Sequence, residues 1–199
     1  MENNRFAAIL IELKNADLAL RNRLIQNGQL AASYNEEMKE LHNKNASILD
    51  AIMDKIGFPT RAKVGKEASE AAWLVMQHAI EQPHFMKKCA QLLQIEVENG
   101  NMNPKNLAYL SDRIAVLEGK PQLYGTQFDW DKNGILNPNF FDDLTLVNRR
   151  RKAIGLNTLE AQTLVMRTQV ALENQTPPKD FEKRTQELEQ WRKEVGWIK

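Results

Sequence analysis

A single cysteine, Cys89, stands in the 199 residues of this chain. One thiol excludes an internal disulfide, and it excludes a structural zinc site built from several thiolates. No stretch approaches the roughly 18 apolar residues needed to span a bilayer. The Phe6 to Leu13 run is too short for a secretory signal and is soon interrupted by Lys14, Asn15 and Asp17. Charge of one sign is missing as well. The 27 basic residues face 26 acidic ones, a net charge of +1, which argues against a dedicated nucleic-acid binder, whose affinity needs a surplus of cations to displace counterions. Only Arg149-Arg150-Arg151-Lys152 is a basic run. These absences predict a cytoplasmic protein with neither a membrane nor a nucleic acid as partner, and no cofactor is expected.

With 42% hydrophobic and 27% charged residues, the composition is that of an ordinary globular chain rather than a disordered one. Phe6, Leu10, Leu13, Leu20 and Leu24 recur at helical spacing up to the stop at Asn27-Gly28. Ser33 and Glu36 form a capping box ahead of a second stripe, Met38, Leu41, Ile48, Leu49, Ile52 and Ile56, which ends at Gly57. Further helices are expected over Glu67 to Glu81, from Pro83 to Asn99-Gly100, and from Asn103-Pro104 to Gly119. Two more are expected around Leu144 to Ala153 and after Thr158, and a last one carries Phe181, Leu188, Trp191 and Val195. Between them, Asp131-Lys132-Asn133-Gly134 flanked by Phe128, Trp130, Ile135 and Leu136 predicts a small hairpin near 128–137. The expected class is mainly α: a multi-helix domain with an antiparallel helical hairpin at its amino terminus. Residues 1–57 read as a separable hairpin, 58–175 as a core domain with a polar pocket, and 176–199 as a helix packed on that core.

Several constellations carry potential chemistry. Asp129-x-Asp131-x-Asn133-Gly134 resembles the start of a calcium loop, but the twelfth position, where a bidentate glutamate belongs, is Phe140. A polar turn is the expected reading. His42, His78 and His84 share no helical face at the i, i+4 spacing of zinc enzymes, so no metal site is expected. Cys89, in the apolar series of Phe85 and Leu92-Leu93, reads as a packed thiol. Gln77 and His78 are polar groups ending an apolar helix. Tyr109, Asp112 and Arg113 lie at i, i+3 and i+4 and project to one side. Asp112 is expected to orient the His78 imidazole, as a carboxylate does when it fixes a tautomer. The Gln122-Leu123-Tyr124-Gly125-Thr126-Gln127 segment is dense in hydrogen-bonding groups, as ligand-holding loops often are.

Gly57-Phe58-Pro59, Ala71-Ala72-Trp73-Leu74 with Gln77-His78-Ala79, Leu107 through Arg113, Glu118 through Gln127, and Arg150 through Leu156 together resemble a bacterial domain family of unknown function over about residues 57–160. Asn148-Arg149 departs from the acidic pair usual in that family before the double arginine. The resemblance implies a common domain and no particular activity. It directs attention to polar positions: a site with His78 and Asp112 as catalytic groups, and Gln77, Tyr109, Arg113, Gln122, Tyr124, Thr126, Gln127 and Arg150 as binding groups. The expected ligand is small and polar or anionic, and metal-independent hydrolysis or group transfer is the compatible chemistry. The other expectation is a non-catalytic interaction module in which residues 1–57 dock a protein partner or a second copy of the chain.

Overall fold

Helix α1 spans Glu2–Gln26 and α2 spans Glu36–Ile56 in a computed structural model that describes residues 2–27 and 35–199. The face that α1 buries carries Phe6, Leu10, Leu13 and Leu24, with Asp17 in the same stripe; these positions fall three, four and seven apart, as one helical face requires. The residue that starts α2 is Asn35, whose side chain accepts from the Glu37 and Met38 amides at 2.9 and 3.3 Å and so satisfies two of the first-turn donors. Ser33, the expected cap, lies outside the described residues. Arg23 pairs with Glu37, Asp17 meets His42 and the Leu13 carbonyl accepts from Asn45 Nδ2 at 3.3 Å. As numbers fall along α1, the partners' numbers rise along α2, so the two helices are antiparallel, as predicted.

The short α3, Arg61–Val64, leads into α4, Lys66–His78, and Pro83 opens α5, Pro83–Glu98. Alanines at 68, 71 and 72, all buried, allow close approach of α4 to its neighbours. Helix α1 has its most extensive contact with α4 and touches α2 and α3 as well. The helices of residues 1–57, read from the sequence as a separable hairpin, lie in one compact unit with α3, α4 and α5. The chain divides into two compact units after Asn103 instead, because the stripe of α1 is covered by α4 as well as by α2.

In the second unit, Pro104–Lys199, α6 spans Pro104–Leu117, α7 Leu144–Ala153, α8 Leu159–Leu172 and α9 Phe181–Val195. Strands β1, Phe128–Trp130, and β2, Leu136–Pro138, pair antiparallel with Asp129 opposite Asn137. Their turn is organised by Asp131, which accepts from the amides of Asn133 and Ile135 at 2.8 and 2.9 Å and from Asn137 Nδ2 at 2.9 Å. That is an Asx turn, and Asp129 is engaged with Arg184 at 2.9 Å. Nine helices and this one small sheet make up the regular structure of the described residues. None of those helices is long and apolar enough to cross a membrane.

One glycine in this unit is required by both backbone and space. Gly125 has φ +61°, and a Cβ there would come within 2.7 Å of Leu159 Cδ1, on a side chain only 2% exposed. Gly125→Ala is expected to lower the unfolding free energy by about 2 kcal/mol, from the left-handed backbone and the overpacked leucine together. Urea denaturation of the two proteins measures it; a loss under about 0.5 kcal/mol would mean the loop relaxes freely away from α8.

Candidate functional site: two buried carboxylates with different partners

Ionisable side chains are costly inside a protein unless charge and hydrogen bonds compensate them, so the buried ones mark where the fold commits polarity. Asp17, on α1, is 1% exposed, and His42, on α2, is 5% exposed. His78 ends α4, with a quarter of its side chain exposed. Nδ1 of His78 lies 2.7 Å from Asp17 Oδ2, and Nε2 of His42 lies 3.0 Å from the same oxygen. The imidazole centroids are 4.8 Å apart, with the rings tilted by 41°. The other oxygen, Asp17 Oδ1, is buried with no hydrogen-bond partner among the described residues.

The elements around this cluster hold it firmly. Lys14 reaches Glu67 at 2.9 Å, tying α1 to the start of α4. Beyond His78 the chain turns at Ala79, and Gln82 Nε2 donates to the Asn43 carbonyl and side-chain oxygen, both at 3.2 Å. Asn43 Nδ2 in turn donates to Glu81 at 2.9 Å. The residue after His42 is thus bound to the turn after His78, which sets the spacing of the two rings.

Burial alone would raise the Asp17 carboxyl, but the adjoining His42 and His78 outweigh it and hold the group well below the ordinary carboxylate value. An ionised carboxylate only accepts, so His78 donates its Nδ1–H to it. That fixes the tautomer whose lone pair is on Nε2. A carboxylate behind one imidazole nitrogen and a proton-accepting nitrogen on the other side is the arrangement of a general base.

The second buried carboxylate, Asp112 on α6, is also 1% exposed, and it has a different occupation from the one expected. Its Oδ1 accepts from the amides of Leu123 and Tyr124 at 2.9 and 3.1 Å, and its Oδ2 accepts from Thr126 at 2.9 Å. Asp112 therefore orients the 122–127 loop, whereas the carboxylate on the His78 imidazole is Asp17. Burial pushes the Asp112 carboxyl up, against the pull of those amides.

The rest of that loop is satisfied in the same manner. Gln122, fully buried, donates to the carbonyls of Gln127 and Asn139 at 3.1 and 2.9 Å and accepts from the Gln127 amide at 2.7 Å. Arg113 donates to Gln127 Oε1 at 3.1 Å, and Gln127 Nε2 donates to Thr126 Oγ1 at 3.0 Å. Arg150 spans Asp142, at 2.7 and 3.0 Å, and the Leu123 carbonyl at 3.1 Å. Arg151, buried although charged, donates to Asn157 and, at 2.7 Å, to the Tyr124 carbonyl. The Tyr124 residue is held from both ends, its N–H by Asp112 and its carbonyl by Arg151. Peptide groups of a half-buried loop need partners, and these side chains supply them for the N–H groups of Leu123, Tyr124, Thr126 and Gln127 and the carbonyls of Leu123, Tyr124 and Gln127.

Of the residues expected to build the site, His78 lies in the first unit, beside Asp17 and His42, with Gln77 buried next to it in sequence. Asp112, Arg113, Gln122, Thr126, Gln127 and Arg150 are joined by the loop network of the second unit. Tyr109 and Tyr124 in that unit are half-buried. His84 is exposed on α5. Cys89 is buried, and burial pushes its thiol up, so it is an unreactive packed thiol. His42 and His78 share no helical face, as expected, yet they meet across helices, which a spacing rule confined to one helix does not detect. Asp17 was missed altogether. Its signal was its position, one helical step from Leu13 and from Leu20 in an otherwise apolar stripe.

No curated protein and no solved structure matches the chain. A family model does, over residues 6–173, a span that begins far ahead of the resemblance near residue 57 and takes in Asp17 and His42 as well as His78, Asp112 and the 122–127 loop. The chain belongs to the Family of unknown function (DUF6624).

Proposed function

We propose that the protein binds a small polar or anionic ligand at the Asp17–His42–His78 cluster and acts on it by proton transfer, in hydrolysis or group transfer. The observation that carries this reading is a quarter-exposed imidazole whose Nδ1 is held at 2.7 Å by a buried, ionised carboxylate. Asp17 fixes the ring and stabilises the imidazolium formed when Nε2 takes a proton; His78 then returns that proton to the leaving group. His42, on the same oxygen, stabilises the carboxylate. The reading places the site in the first unit and gives the polar loop of the second unit no part in it.

The test is turnover of p-nitrophenyl acetate and p-nitrophenyl phosphate by the full chain and by His78→Asn. An asparagine amide keeps a donor toward Asp17 and removes the basic nitrogen. A fall of about 100-fold or more with an unchanged melting temperature is expected for whichever ester is turned over. Equal turnover by the variant, or no turnover of either ester by the wild type, counts against acid–base chemistry on these substrates.

A second reading is favoured by Leu18 and Ile25, 43% and 46% exposed and two turns apart on α1: docking of a protein partner or second copy through residues 1–57. A concentration-independent monomer by sedimentation would count against the second copy.

A further inference from the structure

The Asp17–His42–His78 cluster has a feature that proton transfer leaves unexplained. Two imidazole nitrogens converge on one carboxylate oxygen, and the carboxylate's second oxygen is buried without a donor among the described residues. A buried acceptor left unmade costs on the order of 1–3 kcal/mol, and native structures rarely retain one unless a water or ion completes it. One ligand atom from each of the three residues falls within 4.8 Å of the others. The 2.7 and 3.0 Å separations from Oδ2 are shorter than the about 3.3–3.6 Å edges of a tetrahedron with bonds of about 2.0–2.2 Å, so the three side chains must open by about 0.5 Å to seat an ion.

We propose that Asp17, His42 and His78 form a binding site for one divalent transition-metal ion of the zinc class, held by two imidazole nitrogens and the carboxylate. This rests on the proposed function for the location of the reactive centre alone: a metal on Nδ1 puts the His78 proton on Nε2, so with the ion bound His78 is a ligand and not the general base. The donor set selects the metal: imidazole with a single carboxylate suits zinc and its first-row neighbours, whereas calcium and magnesium require mostly oxygen ligands. Three protein ligands leave a coordination position open, which distinguishes a catalytic zinc site from a closed structural one. The ligands also come from three different helices, α1, α2 and α4, held together by packing and by the Asn43–Gln82 and Lys14–Glu67 contacts. Partial exposure of His78 gives an ion a way in.

Ligation needs no net loss of protons from neutral imidazoles. His78 binding through Nδ1 carries its proton on Nε2, and His42 binding through Nε2 carries its proton on Nδ1. The carboxylate provides the anionic ligand. A dication then meets the charge of a buried aspartate that has two imidazoles against it.

Isothermal titration of zinc chloride into the chelator-treated full chain tests this directly, with cobalt(II) absorption as a second readout. The expected result is one zinc per chain and a visible cobalt spectrum of low coordination number. His78→Asn and His42→Ala should each weaken zinc by more than about 100-fold, beyond the loss typical of groups that merely support a ligand. His84→Ala, which changes the exposed third histidine, should leave binding unaltered. If His42→Ala does not fold, the partly exposed His78→Asn carries the test. Absence of zinc binding, or binding that His78→Asn leaves intact, overturns the metal site. Should zinc fail to bind while His78→Asn still abolishes ester turnover, the metal inference falls and the proton-transfer reading stands. Should zinc bind at the cluster while turnover ignores His78→Asn, the reverse holds.

Discussion

Replacing Asp112 by Ala is expected to lower the unfolding free energy by about 3–5 kcal/mol, among the largest effects of any single substitution in this chain. The variant strands three loop amides, those of Leu123, Tyr124 and Thr126, which all donate to Asp112. Each buried donor left without an acceptor costs about 1–3 kcal/mol; the three are neighbours on one short loop, so their costs do not simply add. It also leaves Arg151, 1% exposed, without the carboxylate on the far side of Tyr124. Asp112→Asn, which keeps one acceptor oxygen but turns an NH2 toward the same amides, should fall between the wild type and Ala. Urea unfolding followed by tryptophan fluorescence measures both. A loss below about 1 kcal/mol for Ala would show that water or a shifted loop can replace the carboxylate, and the account of this segment as a buried scaffold would fail.

That expectation reverses the reading the sequence invites, and the reason is physical. A run such as Gln122 to Gln127, rich in amides and hydroxyls, looks the same in one dimension whether its polar groups face a ligand or its own peptide bonds. Gln122 is the clearest case: with every side-chain polar atom spent on the backbone of Gln127 and Asn139, it has the composition of a binding residue and the occupation of a clamp. Local order was far more legible. Asn103-Pro104 starts α6, Asp131 to Gly134 makes the hairpin turn, and Pro83 opens α5, because capping, turn formation and the first helical turn depend on residues within a few positions of one another. The cluster of Asp17, His42 and His78 depends instead on three helices meeting. The stripe that identifies α1 skips position 17, and counting only apolar residues hides the one that matters. In α2 the same habit places the buried face slightly off: Leu41 and Ile48 are half-buried, while His42 and Asn45 point inward.

The division of the chain after Asn103 rather than at Gly57 follows from the same packing. An isolated helical hairpin buries only the seam between its two members, whereas α1 also lies against the alanine-rich α4. Asp17 meets His78 at the last residue of α4 and His42 on α2, so the proposed site forms only where the three helices meet.

Asp17→Asn, studied in a chelator so that no metal contributes, is expected to destabilise the first unit by about 3 kcal/mol at neutral pH, as removal of one member of a buried charged group does. The pH dependence distinguishes this from loss of packing. The ordinary carboxyl value is 3.8, and in the folded protein His42 and His78 hold Asp17 below it in spite of burial. A group depressed on folding contributes stability above its unfolded value, and that contribution is lost as pH falls through the unfolded and then the folded value, because the unfolded chain takes up the proton first. The wild-type advantage over Asp17→Asn should therefore be full at about pH 6 and shrink as the pH drops below about 4. Urea midpoints of the two proteins at pH 6 and pH 3 decide it. A difference that stays constant across that interval would assign the cost to shape rather than charge, and would remove the ionised carboxylate on which the proton-transfer reading depends.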